Sequence, residues 1–219
     1  MSTPTPSPSN DLLIVQREYG PFDDKPANGV THDGQRLWVG SGDRMHAVDP
    51  SAGEVVRTLP LSADAGTAFD GTHLYQLTGD QIQVVELETG EVQRSIPAPG
   101  GGRDSGLTWA EGTLWVGQFR DRTIIQIDPE DGAVLKTLRS DRFVTGVTFV
   151  DGELWHGTLE NESSELRRID PHSGAVLQSH PAPPGVTIAG LSSDGQQFFC
   201  GSGYEGRVRT IARPETTSE

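Results

Sequence analysis

The sequence is poor in cysteine, in basic residues and in long apolar runs. One Cys among 219 residues leaves no partner for an internal disulfide and excludes a cysteine-rich zinc site. Only 17 Lys plus Arg stand against 31 Asp plus Glu, a formal charge of -14. That balance excludes simple recognition of nucleic acid or of an anionic membrane, both of which need a basic face. No segment approaches the roughly 20 apolar residues of a spanning helix. Residues 1–10, MSTPTPSPSN, lack the basic region and apolar core of a leader. The chain is therefore expected to be cytoplasmic, or secreted if a leader has been removed. No nucleophile elbow, phosphate-cradling loop or metalloprotease motif occurs, and no cofactor is implied.

Glycine and proline are what the chain has in quantity. It carries 27 Gly and 15 Pro, while only 33% of its residues are hydrophobic. Such a composition predicts many short elements joined by many turns, in place of long helices. Residues 1–10 and 214–219 are too polar to pack and are expected to be disordered tails around a single domain, 11–213.

Between the tails the chain repeats itself. A short apolar pair followed by a small residue recurs as RLWVGSG (36–42), HLYQLTG (73–79), TLWVGQF (113–119), ELWHGTL (153–159) and QFFCGSG (197–203). A few residues before each comes GVTHDG, GTAFDG, GLTWAEG, GVTFVDG or GLSSDG, whose D-G or E-G pair is a tight-turn signal between strands. After the first four comes DPSAGEV, LETGEV, DPEDGAV or DPHSGAV, a second turn signal closed by glycine. Each unit reads strand, turn, strand, loop, strand, turn, strand. Four antiparallel strands in roughly 40 residues is the signature of a β-propeller blade. Five units predict an all-β, five-bladed β-propeller.

The fifth unit lacks its outer strand. LLIVQREYG (12–20) has the pattern of the outer strands VVRTLPL and VLKTLRS and is expected to complete the last blade. Closure of this kind removes the two exposed sheet edges that an open array would carry. A ring so closed is expected to be monomeric.

These strings resemble the glutamine cyclotransferase family, the plant and bacterial type of glutaminyl-peptide cyclase, over about residues 12–212. HLYQLTG is similar to the family's LYQLTW. FVDGELWHGTLENESSELRRIDPHSGAV (149–176) resembles its YVDGKIWANVWQTDRIARIDPKTGKV, and NGVT (28–31) sits where the family has TQGL. The form "DG-x-LWVG … IDPxxGxV" is shared with quinoprotein-like and virginiamycin-lyase-like propellers. The resemblance implies a catalytic glutamate at the position of Val39, a substrate-holding asparagine at Gly157, a pocket-wall tryptophan at Gly79 and a lysine near Gly203. None of these is present at its matched position. Cyclisation of an N-terminal glutamine needs a carboxyl to move a proton, and valine cannot supply one.

The resemblance further implies that the second-strand residues Val39, Gln76, Val116, His156 and Cys200 face the mouth of the central channel. Asn28, Ala65, Ser105, Thr145 and Ala189, each before a first-strand glycine, would line the same channel. His156 stands out because its sister blades carry Val, Gln, Val and Cys, and an imidazole there could act as acid or base. Gln76, Cys200, Ser41, Gln118 and Asn28 are the candidate substrate contacts. An acidic loop with Glu160 and Glu162 beside His156 would suit a hard cation, but no ligand spacing supports it and no metal site is assigned. The partner expected is a small molecule or peptide, bound and, if the protein is an enzyme, transformed through His156. The alternatives are a non-catalytic protein-interaction propeller and a glutaminyl cyclase whose carboxyl has moved to Asp64 or Asp104.

Overall fold

A computed structural model describes residues 12–63 and 65–215. Residues 1–11, Asp64 and 216–219, which include most of the two expected tails, lie outside the described residues. The described chain contains no helix and twenty strands. The first, β1 (Val15–Tyr19), stands apart in sequence from the blade it serves. Blade 1 consists of β2 (Ala27–His32), β3 (Leu37–Ser41), β4 (Arg44–Val48) and β5 (Val55–Leu59). Blade 2 consists of β6 (Thr67–Phe69), β7 (His73–Thr78), β8 (Gln81–Glu86) and β9 (Val92–Pro97). Blade 3 comprises β10 (Asp104–Ala110), β11 (Thr113–Gln118), β12 (Thr123–Ile127) and β13 (Val134–Arg139). In blade 4 the strands are β14 (Phe143–Val150), β15 (Glu153–Glu160), β16 (Ser163–Ile169) and β17 (Val176–Pro181). Blade 5 has β18 (Leu191–Ser193), β19 (Gln197–Gly201) and β20 (Val208–Ala212), and β1 pairs antiparallel with β20 as its outer strand. The protein is a five-bladed β-propeller closed by its N-terminal strand.

Local chemistry sets the turns. In blade 3, Ala110 pairs with Thr113 around Glu111 and Gly112, both at positive φ, the two-residue geometry that matches the twist of paired strands. In the outer turns the aspartate does the work. Asp49 Oδ1 accepts from the backbone N–H groups of Ser51 and Ala52 at 2.7 and 3.1 Å, and Asp170 Oδ1 accepts from His172 and Ser173 at 2.6 and 3.2 Å. Aspartate suits the place because its short carboxylate reaches donors two residues on.

The inner strands β2, β6, β10, β14 and β18 pack edge to edge around the axis, each against the next. Their repeated glycines are required by this approach. A Cβ on Gly29 would lie 2.3 Å from Ala65 O, on Gly66 2.4 Å from Leu107 N, and on Gly106 2.6 Å from Thr145 O. On Gly146 it would lie 2.5 Å from Leu191 N, and on Gly190 2.2 Å from Asn28 O, which completes the circle. In each case the nearest obstructing atom is backbone. The glycine of the sequence repeat is thus the contact between neighbouring blades.

A sheet standing on edge at the axis turns its two faces to its neighbours. The core accordingly divides into five apolar clusters, one at each blade interface. Trp38 and Trp155 are fully buried there, and each anchors its indole N–H on a turn carboxylate, Asp33 at 2.7 Å and Glu153 at 3.2 Å. At the rim, side chains of outer strands clasp the next blade's turn. Arg17 donates to Pro50 O at 2.8 Å, Arg94 to Pro129 O at 3.0 Å and Lys136 to Pro171 O at 3.1 Å, while Arg57 reaches Glu88 O. Tyr19 Oη also donates to Pro50 O, at 2.9 Å, so the same clasp fastens blade 5 to blade 1.

Gly106→Ala tests the inner ring. With backbone on the receiving side, the added methyl forces strands apart, and the expected loss is about 2 kcal/mol or more, read as a lower urea midpoint at unchanged m-value. An unchanged midpoint would show that the strands yield freely.

Candidate functional site

The mouth of the channel lies at the starts of the inner strands and the ends of the second strands. A cavity of about 730 Å³ opens there. Asn28, Ala65, Ser105, Thr145 and Ala189 all line it, one from each blade. Each precedes an axial glycine, and their small side chains leave the space. Thr145 is nearly buried and its hydroxyl has no hydrogen-bond partner.

Among the described residues two carboxylates, Asp104 and Glu205, reach the cavity, and no basic side chain lines it. Glu205 is committed to an ion pair with Arg209. Asp104 has amide partners only. Its Oδ1 accepts from Gln118 Nε2 at 3.1 Å and its Oδ2 from the Gly100 N–H at 3.0 Å. Gln118 is itself oriented from behind, since Thr123 Oγ1 donates to its Oε1 at 2.8 Å, which leaves Nε2 for Asp104. Burial pushes the Asp104 pKa up, and the Gln118 and Gly100 donors together with the Arg103 charge offset only part of that. The repeat explains the burial. The equivalent residues of blades 1, 4 and 5 are Ala27, Val144 and Ile188, all fully buried, so Asp104 places a carboxyl where sister blades place hydrocarbon. Blade 2 has Asp64 there, which lies outside the described residues.

Apolar walls come from Phe119 and Leu159. Both stand five residues after the leucine that opens a second-strand repeat, where blades 1, 2 and 5 have Gly42, Gly79 and Gly203. Phe119 is held by stacking on Phe143, with ring centroids 4.8 Å apart. Tyr204, 98% exposed, and Gly203 border the mouth from blade 5. Phe119, Leu159, Tyr204 and Glu205 were not among the sequence candidates. The signal for the first two was the interruption of the glycine repeat.

The structure brings one of the six sequence candidates, Asn28, to the cavity lining, and sets Gln118 directly beneath Asp104. The other four lie elsewhere. Side chains of a second strand stand perpendicular to the sheet, so they point into neighbouring blades and not at the axis. Gln76 is fully buried and braced: its Oε1 accepts from Thr67 Oγ1 at 2.6 Å and its Nε2 donates to Leu77 O at 2.7 Å. Ser41 is fully buried, 3.5 Å from Lys25 O. Cys200 packs among Leu191, Phe198 and Ile211, and burial pushes its thiol pKa far up, away from a nucleophilic thiolate. Val39 and Val116 likewise sit in blade-interface clusters.

His156, expected over the channel mouth, is 1% exposed and faces blade 3. Its Nδ1 donates to Gly157 O at 3.0 Å. Burial, reinforced by the Arg167 charge, lowers its pKa to about 4, so the ring is neutral at ordinary pH. Glu160, imagined as its partner on a cation, pairs with Arg122 at 3.2 Å. Among the described residues no group of three His, Cys, Asp or Glu could hold a metal ion.

No family model matches the chain, and no curated protein matches it. Its fold is similar to that of Myxococcus xanthus glutaminyl cyclase, with a TM-score of 0.76 at 15% identity, covering 94% of this chain and 97% of that one. It is also similar to a chain of Kuenenia stuttgartiensis hydrazine synthase (TM-score 0.52, 19% identity, 90% and 60% covered). A chain of a mitotic checkpoint complex gives 0.53 at 14% identity, with 85% and 63% covered. At these identities the likeness is one of fold.

Two titrations follow from this geometry. Followed by carboxyl 13C shifts, Asp104 should titrate above the ordinary 3.8, and Asp49, held by the Ser51 hydroxyl and turn N–H groups, and Asp170, held by turn N–H groups, below it. For His156 the unfolded chain takes up a proton near pH 6.5 and the folded chain only near 4. Its contribution to stability is therefore complete above pH 6.5 and is lost as pH falls toward 4. The loss is on the order of 3 kcal/mol, and His156→Leu should remove that part of the slope in a pH series of urea unfolding curves.

Proposed function

We propose that this chain is a glutaminyl cyclase-like propeller that binds a peptide or small molecule at the channel mouth, with Asp104 as its acid–base group. The observation that carries this is the Asp104 carboxyl itself: half-buried, raised in pKa and hydrogen-bonded by amides alone. A carboxyl poised in that way can both take and give a proton near its working pH. Gln118, fixed by Thr123, acts as the positioning residue.

Two changes in the matched positions support the reading when taken together. The resemblance puts the cyclase glutamate at Val39, and here a carboxyl enters the mouth from blade 3 instead. The family's wall tryptophan is replaced by Gly79, but the same repeat position supplies Phe119 and Leu159 from blades 3 and 4. The fold likeness to the Myxococcus xanthus enzyme adds to this. In the reaction, the α-amine of an N-terminal glutamine attacks its own side-chain carboxamide carbon. A ring C–N bond forms, the bond to the amide nitrogen breaks, and Asp104 passes the proton from the attacking amine to departing ammonia. The acidic mouth suits the incoming amine, and the apolar wall suits the methylenes behind it.

Incubation with a glutamine-initiated peptide should release ammonia, and Asp104→Asn should slow that by about 10²- to 10⁴-fold without loss of the folded circular-dichroism spectrum. Gln118→Leu should lower kcat and shift the acid limb of its pH profile with little change in KM. If no ammonia appears from the wild type, the catalytic reading fails. If in addition peptides produce no thermal shift that Asp104→Asn or Phe119→Ala diminishes, the channel mouth is not the binding site.

A further inference from the structure

A second cavity, of about 210 Å³, lies between blades 3 and 4 and shares no lining residue with the channel mouth. Blade 3 contributes Ile124 and Leu138, and blade 4 contributes Ile169, Val176 and His156. Arg139 and Asp141 are its exposed members. Sister blades fill the matching position with the compact Val39, Val116 and Cys200 or with the fully braced Gln76. Only blade 4 puts an imidazole there.

The hydrogen bonding of that imidazole defines what it can accept. Gly157 O can only accept, so Nδ1 carries the proton and Nε2 presents a bare lone pair. No hydrogen bond reaches Nε2 from the described residues. Arg167, whose charge acts on the ring, is engaged by Asp141 and by Glu165. Ile124, Leu138, Ile169 and Val176 wall the cavity, with Arg139, Ser140 and Asp141 beside them, so an acceptor presented there favours a ligand that brings its own donor. A carboxylate would meet a lone pair with its own lone pairs, and a free cation would lose its hydration to hydrocarbon. A neutral molecule with an apolar body and one donor meets the requirement. The cavity exceeds the roughly 150 Å³ of an apolar cavity known to take up benzene, which sets the size at a single ring.

We propose that the blade 3–blade 4 cavity is a binding site for a small neutral aromatic alcohol, its hydroxyl donating to His156 Nε2 and its ring resting on Ile124, Leu138, Ile169 and Val176. The site is independent of the chemistry at Asp104.

Phenol is the probe, and toluene, of nearly the same shape without the donor, is its control. Phenol should move the His156 side-chain 15N signals saturably and bind at least about tenfold more tightly than toluene, the ratio one hydrogen bond supplies. His156→Phe should abolish that preference. Val176→Trp, which fills the cavity from the outer strand and leaves the imidazole in place, should abolish binding of both. Asp104→Asn should change neither, so a failure at the channel mouth is distinguishable from a failure here. Unmoved His156 signals, equal affinity for the two probes, or phenol binding that survives Val176→Trp would overturn the assignment.

Discussion

The closeness of the inner strands governs this molecule. Five glycines meet backbone atoms of the next blade at separations that leave no room for a Cβ, so the axis is built of main chain. Strands brought that close must present edges to the axis, and a sheet with its edge inward has both faces turned toward other blades. Large side chains are thereby excluded from the centre and collected between blades, where the aromatics of the second strands bury their area. The mouth of the channel is left to the small residues that precede the glycines. The cavity is therefore a by-product of the packing that closes the ring.

The parts of this arrangement that depend on neighbours in sequence were legible in the sequence. Turn aspartates, hairpin glycines, the strand count and the transferred outer strand all declare themselves within a few residues. The five small residues of the mouth were placed there through the family resemblance. The direction of the second-strand side chains was not. It depends on which way a sheet stands relative to an axis, a tertiary property, and His156, Cys200, Gln76 and Ser41 fell on the blade interfaces as a result. Gln118 was recognised as an amide of interest, but its role depends on a link from Thr123 through Gln118 to Asp104 that crosses three strands.

Repetition separates scaffold from site in this chain. Residues shared by every blade hold the ring, and the candidate site residues stand where a blade departs from the common pattern. Asp104 replaces buried hydrocarbon, Phe119 and Leu159 replace glycine, and His156 replaces a compact side chain. Each departure carries a cost, namely a desolvated carboxyl, a bulky wall in a small-residue mouth and an imidazole with an unanswered nitrogen. Costs of that kind are expected at places that do something other than fold.

The closing strand has a consequence for how the molecule is made. Glu18 and Arg209, joined across β1 and β20, are 191 residues apart in the chain. A ribosome adding about 5–20 residues per second needs roughly 10–40 seconds to supply the partner of a strand it released at the start. Through that interval β1 has nothing to pair with, and the blades that emerge form an open arc. The ring can close only when synthesis of the last blade is complete, so its first strand is the last to find its place.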